Sequence, residues 1–327
     1  MKNRKPIILI LFICTLLYVQ SGCQVDSINK QHNSEIFKTF EKQGQYIDLY
    51  NKNLKKWPIN YSEKYVKTKF GETYIITCGK QDAPPLILLH SMSSSSIQWY
   101  TNVFELSKHY RVFAIDRVGD LGKSIAKIHP ANLDDFSDWL IEVMDSLSLK
   151  KVDMIGHSYG GWITMGFAMR KPEKINKIVL LSPASSILKT EGKFMWLGFK
   201  ASYFPKTDKS IKKFQDYICL NDTIVSKQMK VGFKNWTTPK EIAKPTVFTD
   251  QELRELNCPV LFLMGENDVI YNANDAIIRV DSCIFNCTTE LIPNAGHNVI
   301  IEQPKIVNGI ILKFLSDSNT KETTRKN

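Results

Sequence analysis

Seven consecutive residues place a nucleophile, a backbone donor and three glycines together: Ile155-Gly156-His157-Ser158-Tyr159-Gly160-Gly161. A serine on a tight strand-to-helix turn has its hydroxyl lifted clear of the sheet. The same turn aims the next N–H, here that of Tyr159, at the place where an oxyanion would form. The glycines two positions to either side are required because a Cβ there would collide with the neighbouring strand or helix. The apolar run 152–155 before the motif and the helical pattern 162–170 after it supply the strand and the helix. The pentapeptide alone is a weak signal, and a serine hydroxyl is a poor nucleophile at its own pKa. It needs a base, and the base needs a group that fixes its orientation.

Both are present further along the chain. The apolar run 259–264 leads directly into Gly265-Glu266-Asn267-Asp268, and the run 288–292 leads into Pro293-Asn294-Ala295-Gly296-His297. His297 is the only histidine after Asp268. Each is ordinary in isolation, since an Asp after a strand commonly caps a loop and a lone His near a C-terminus is commonly solvated. Glu266 is the alternative acid, although it would have to reach back from nearer the strand. The joint pattern of three residues past three strand ends points to a triad. In it His297 takes the Ser158 proton while Asp268 holds the imidazole tautomer and steadies the imidazolium.

The segments Gly156–Gly161, Gly265–Asp268 and Asn294–His297 resemble the α/β-hydrolase superfamily, whose nucleophile, acid and histidine follow in that order. Trp57-Pro58, the stretches 69–73 and 83–90, and the stretch 247–253 are similar to a group of bacterial serine carboxylesterases of that fold. The resemblance covers roughly residues 57–315. It implies a mostly parallel eight-stranded sheet with helices on both faces and a helical lid between strands six and seven. It also implies hydrolysis of a small-molecule carboxylic ester through an acyl-enzyme, with no cofactor. The second oxyanion donor falls, by the same pattern, on the N–H of Met92. Where the superfamily usually reads His-Gly-x, this chain has His90-Ser91-Met92, and serine is less permissive than glycine there. A serine nucleophile argues against the dehalogenase and epoxide hydrolase branches, which use an Asp. Other serine hydrolases of the fold remain open (aminopeptidase, thioesterase, lactonase, lysophospholipase), as does a non-catalytic surface binding protein on a hydrolase scaffold.

Strand patterns at 63–69, 73–78, 86–89, 111–115, 152–155, 177–181, 260–264 and 288–292 alternate, in the later part, with helical patterns at 133–147, 162–170, 275–280 and 305–315. That rhythm predicts a parallel sheet begun by an antiparallel hairpin. Residues 57–184 and 246–327 form the expected catalytic domain and 185–245 the lid. The loop 116–124 ends Gly-Lys-Ser, but the first glycine of a phosphate loop is replaced by Arg117. It resembles instead the loop after the fourth strand of α/β-hydrolases, which shapes the pocket wall.

The formal charge of +10 is unevenly spread. Residues 189–245 hold twelve lysines against five acids, a net +7, which equals the net charge of everything after Cys23. One reading sets the lysines on the solvated outer face of the lid with its aromatics as the inner core. The other has the lid facing anionic lipid headgroups or drawing in anionic substrates.

The N-terminus reads as an export segment, 1–23. Lys2, Arg4 and Lys5 precede the apolar run 6–19, and Ser21-Gly22 precede Cys23. The run is shorter than the ~20 residues of a spanning helix. It resembles a lipoprotein signal that leaves Cys23 as a lipidated, membrane-anchored N-terminus outside the cytoplasm; an uncleaved anchor is the alternative. Residues 24–56 read as a tether followed by a helix (Ile36, Phe37, Phe40, Ile47, Tyr50, Leu54), interrupted around Gly44. An exported chain rarely meets nucleic acid, so no nucleic-acid partner is expected. Seven cysteines show no zinc-type spacing, so no metal is expected, and a Cys283–Cys287 bridge stays open.

Overall fold

Strands buried on both faces read as unbroken apolar runs, and the central strands here do so. The computed structural model describes residues 36–237 and 243–317; the expected export segment and most of the tether lie outside the described residues. The strands are β1 (Ser62–Thr68), β2 (Gly71–Cys78), β3 (Pro85–Leu89), β4 (Arg111–Ile115), β5 (Ile125–Ala126), β6 (Val152–His157), β7 (Ile175–Leu181), β8 (Val260–Gly265) and β9 (Cys287–Ile292). Their order is β1-β2-β4-β3-β6-β7-β8-β9. β2 runs antiparallel to both β1 and β4, and every pair from β4 to β9 is parallel. The eight strands on this path are the eight expected. β5 is an addition of two residues paired with Gly71 and Glu72, too short to carry any periodicity.

Side chains alternate between the faces of a strand, and this alternation builds two cores. Leu86 and Leu88 of β3, Val179 and Leu181 of β7 and Leu261 and Leu263 of β8 point to one. Ile87, Leu89, Ile178, Leu180, Val260 and Phe262 point to the other. The first face is covered by helices α1 (Phe40–Leu54) and α2 (Val103–Leu106) and the second by α3 (Leu133–Ser146) and α4 (Tyr159–Arg170). Between β7 and β8 the chain forms α5 (Gly192–Ser202), α6 (Asp208–Tyr217) and α7 (Val225–Asn235), which lie over the first face, and then α8 (Asp250–Arg254) against the second. After β8 come α9 (Ala273–Cys283), α10 (Val299–Glu302) and α11 (Pro304–Ser316).

Two expectations are corrected. Helix α1 runs through Gly44 without a break, because a glycine facing open space costs only its propensity, about 1 kcal/mol. The separation of aromatics from solvent in the insertion is only partial: Phe214, Phe233 and Trp236 are buried, whereas Trp196, Phe199, Tyr203 and Phe204 are exposed. The reason is that α5 turns Leu197, Ala201 and Ser202 inward and leaves its aromatic row outside. The Cys283–Cys287 pairing that the sequence leaves open is not formed, and both are free thiols.

Candidate active site

Ser158 joins β6 to α4 with φ 52° and ψ −114°, a conformation that side-chain-bearing residues rarely adopt. Its N–H donates to the Leu181 carbonyl (2.8 Å), and its own carbonyl accepts from Trp162 and Ala184 (3.1 and 3.0 Å), so neighbouring strand and helix hold the turn. The flanking glycines are explained by contact. A Cβ on Gly156 would lie 2.3 Å from the Gly160 carbonyl oxygen, and one on Gly160 would lie 2.2 Å from that of Leu89. The second close approach sets the end of β3, and with it the His90-Ser91-Met92 loop, against the serine turn.

The loops after β8 and β9 bring Asp268 and His297 to the serine. The Ser158 hydroxyl donates to His297 Nε2 at 3.0 Å, and His297 Nδ1–H donates to the two Asp268 carboxylate oxygens at 3.1 and 3.2 Å. The partners decide the tautomer, since a carboxylate can only accept. Asp268 also accepts the Ile270 N–H at 2.9 Å. Burial pushes the Asp268 carboxyl up, but the electrostatic attraction of His297 and these donors outweigh it and hold the group below the ordinary carboxylate range. Glu266, the alternative acid, is exposed and among the described residues accepts only from Asn294 N–H at 3.4 Å, away from the imidazole.

Several groups that hold the site escape sequence reading. The Glu302 carboxylate accepts the N–H of Gly296 and of Asn298, both at 2.9 Å, and so grips the chain on each side of His297. Beneath His297, His157 donates from Nε2 to the His297 carbonyl at 2.8 Å. Burial, reinforced by the neighbouring His297, pushes the His157 imidazole down to about 3. Phe194 of α5 covers the other side of His297, edge-on with ring centres 5.5 Å apart. A weak signal existed only for His157, as the variable residue of the elbow motif.

The 90–96 loop has its own supports. His90 donates from Nδ1 to the Ser91 carbonyl (2.8 Å) and accepts the Arg117 N–H at Nε2 (2.9 Å). Its burial, with the charge of Arg117, pushes it down to about 3 and keeps it neutral. Asp120 pairs with the Arg117 guanidinium and accepts the Ser93 N–H at 3.0 Å. The constraint expected at Ser91 is displaced: the left-handed residue of the loop is Ser93, at φ 58°, not Ser91. The Ser91 N–H and hydroxyl both donate to Gln98 Oε1, at 3.2 and 2.9 Å. The Ser91 hydroxyl therefore serves the loop. Among the described residues the N–H groups of Met92 and Tyr159 meet no acceptor. The 116–124 loop is a tie rather than a phosphate cradle: Asp116 accepts Ser96 N–H, Lys123 N–H and Tyr50 Oη–H at 2.7, 2.8 and 3.1 Å.

A serine on a strained strand-to-helix turn, with acid and histidine delivered by the loops after two later strands, β8 and β9, of a mostly parallel sheet, is the framework of the α/β hydrolases. Comparison with known proteins agrees. The family model described as alpha/beta hydrolase fold matches residues 84–199. The carboxylesterase nap of Bacillus subtilis is 36% identical over 296 residues, 87% of this chain and 97% of that one. Carboxylesterase YbfK of the same species is 33% identical and covers 85% of this chain and 96% of its own. The crystal structure of naproxen esterase (carboxylesterase NP) from Bacillus subtilis superposes with a TM-score of 0.80 at 35% identity, over 84% of this chain and 98% of that one. The chain belongs to the α/β-hydrolase family.

Proposed function

We propose that this protein is a serine carboxylesterase acting on a small-molecule ester. The observation that carries the reading is the unbroken relay from the Ser158 hydroxyl through His297 to the enclosed carboxylate of Asp268. Similarity to carboxylesterases across nearly their whole length supports it. In the reaction Ser158 Oγ bonds to the ester carbonyl carbon as its proton passes to His297 Nε2. The oxyanion is held by the N–H groups of Tyr159 and Met92. Collapse breaks the bond to the alcohol oxygen, which leaves with the proton from His297. Water then adds to the acyl-enzyme with His297 as base, and the acid departs as Ser158 regains its proton. Every bond and proton is accounted for without a cofactor.

The same reading assigns residues 57–184 and 246–327 to the catalytic domain and 185–245 to a lid. Residues 1–23 direct export, with Cys23 as the lipidated anchor of a membrane lipoprotein, and 24–56 form a tether and helix. Ser158→Ala tests the catalytic core: kcat on a p-nitrophenyl ester should fall on the order of 10⁵–10⁶-fold, with thermal stability nearly unchanged. Activity within about tenfold of the parent would sink the reading.

A further inference from the structure

The exposed apolar side chains of the insertion are not scattered. Met195, Trp196 and Phe199 of α5, with Tyr203 and Phe204 just beyond it, are 60, 55, 46, 45 and 75% exposed. Positions 196, 199 and 203 share one helical face. Their rings form a ladder, Trp196 stacked on Phe199 with centres 6.2 Å apart and Phe199 on Tyr203 with centres 5.2 Å apart. A contiguous aromatic surface of this kind marks an interaction site.

The ladder is framed by positive charge. Lys193 and Lys200 lie one turn to either side of Trp196, and the Lys200 ammonium sits 4.7 Å from the Trp196 ring centre. The acids of the neighbouring helices are already engaged. Asp216 pairs with Lys212, and Asp208 pairs with Lys230 and Lys234. Asp222 accepts from Tyr100 and from the start of α7. Lys193, Lys200, Lys209 and Lys213 form no ion pair among the described residues. Rings able to enter an interface, surrounded by lysines whose stems can run along them, match the surface of an anionic bilayer: the rings reach acyl chains and the ammonium groups meet phosphates. A second copy fits less well, since a two-fold contact through this face would set the Lys193–Lys200 rows against each other.

We propose that the outer face of α5 docks on an anionic phospholipid surface, with the Trp196–Phe199–Tyr203 ladder inserted at the headgroup level. The surface is distinct from the triad, although α5 also carries Phe194 over His297.

The chain provides its own reporter. Of its six tryptophans, Trp57, Trp99, Trp139, Trp162 and Trp236 are at most 7% exposed, and Trp196 alone is accessible. Full-length protein is mixed with vesicles of phosphatidylglycerol or phosphatidylcholine, each with dibrominated acyl chains that quench tryptophan on contact. The phosphatidylglycerol vesicles should blue-shift and quench the Trp196 emission, and Trp196→Phe should remove the quenchable component. K193E/K200E should weaken the vesicle affinity at least roughly thirtyfold, the loss of about one lysine's worth of surface attraction per site, with the repulsion of the new carboxylates in addition. Any attachment through the N-terminus is shared by all variants and does not itself quench Trp196. The proposal is overturned if Trp196 is unquenched on phosphatidylglycerol. It is equally overturned if quenching is the same on both lipids and insensitive to the lysine reversals, or if the blue shift follows protein concentration without vesicles, the mark of self-association. Hydrolysis of a short soluble ester by K193E/K200E should be unchanged, so failure of docking and failure of the esterase reading are separable.

Discussion

Two glycines, Gly156 ahead of the serine turn and Gly192 at the start of α5, meet opposite surroundings. A Cβ added to the first would strike backbone at 2.3 Å, whereas one added to the second would meet nothing within 4 Å. The same contrast separates the whole regions. Around Ser158 the chain is held by backbone contacts, and Asp268 and His297 are sealed beneath it. Along α5 only one side is fixed, and aromatic rings and lysines face outward. The chemistry is set by steric exclusion among backbone atoms and tolerates almost no variation. The insertion can change what it meets without disturbing the atoms that react.

The largest effects should come from the enclosed region. Asp268→Asn keeps the shape but lets His297 adopt the wrong tautomer, and kcat should drop about 10⁴-fold with little change in fold; an unaffected kcat would leave Asp268 without its assigned role. Met92→Pro deletes the N–H proposed as the second oxyanion donor, so single-turnover kinetics should show a loss of about 10²–10³-fold. Urea unfolding should separate the two glycines cleanly. Gly156→Ala should cost about 3 kcal/mol or more through overpacking, and Gly192→Ala should stay within about 0.5 kcal/mol of the parent. Equal costs would erase the comparison drawn above.

Acid should expose the same enclosed region. His157 is held near 3 in the folded protein against 6.5 as its ordinary value, so between those limits the unfolded chain binds a proton that the folded chain does not. Stability is therefore complete above 6.5 and falls as pH drops toward 3. Gln at 157 can still donate to the His297 carbonyl but cannot titrate. The difference in unfolding free energy between pH 7.5 and pH 5 should be smaller in His157→Gln than in the parent by about 2 kcal/mol. Identical differences would mean that His157 titrates normally. The smallest effect belongs to Ser91→Gly: its hydroxyl is spent on Gln98, so kcat should change little. A hundredfold loss would make that hydroxyl the oxyanion donor after all.

What was legible in the sequence follows from the same physics. Gly156, Ser158 and Gly160 could be read because close backbone approach admits only glycine, Asp268 because it follows the fully buried strand β8, and His297 because it follows the next strand, β9, although of that edge strand only Ile292 is buried. All three side chains meet as expected, and the eight strands fall within two residues of their expected limits. Glu302 was not legible, since it acts only when α10 folds back onto the histidine loop. Nor could the left-handed residue of the 90–96 loop be placed at Ser93 rather than Ser91, because Asp120, distant in sequence, holds it there. Helix α5 misled for a related reason: an aromatic row at helical spacing looks the same facing inward or outward until its neighbours are known.

The central claim is that Ser158 alone is the activated nucleophile. Labelling the intact protein with a fluorophosphonate, then mapping the adduct by peptide mass spectrometry, tests it most directly. The account predicts one adduct per chain, on the peptide bearing Ser158, and none after His297→Ala. An adduct on another serine with the Ser158 peptide unmodified, or no adduct on folded protein, would contradict it.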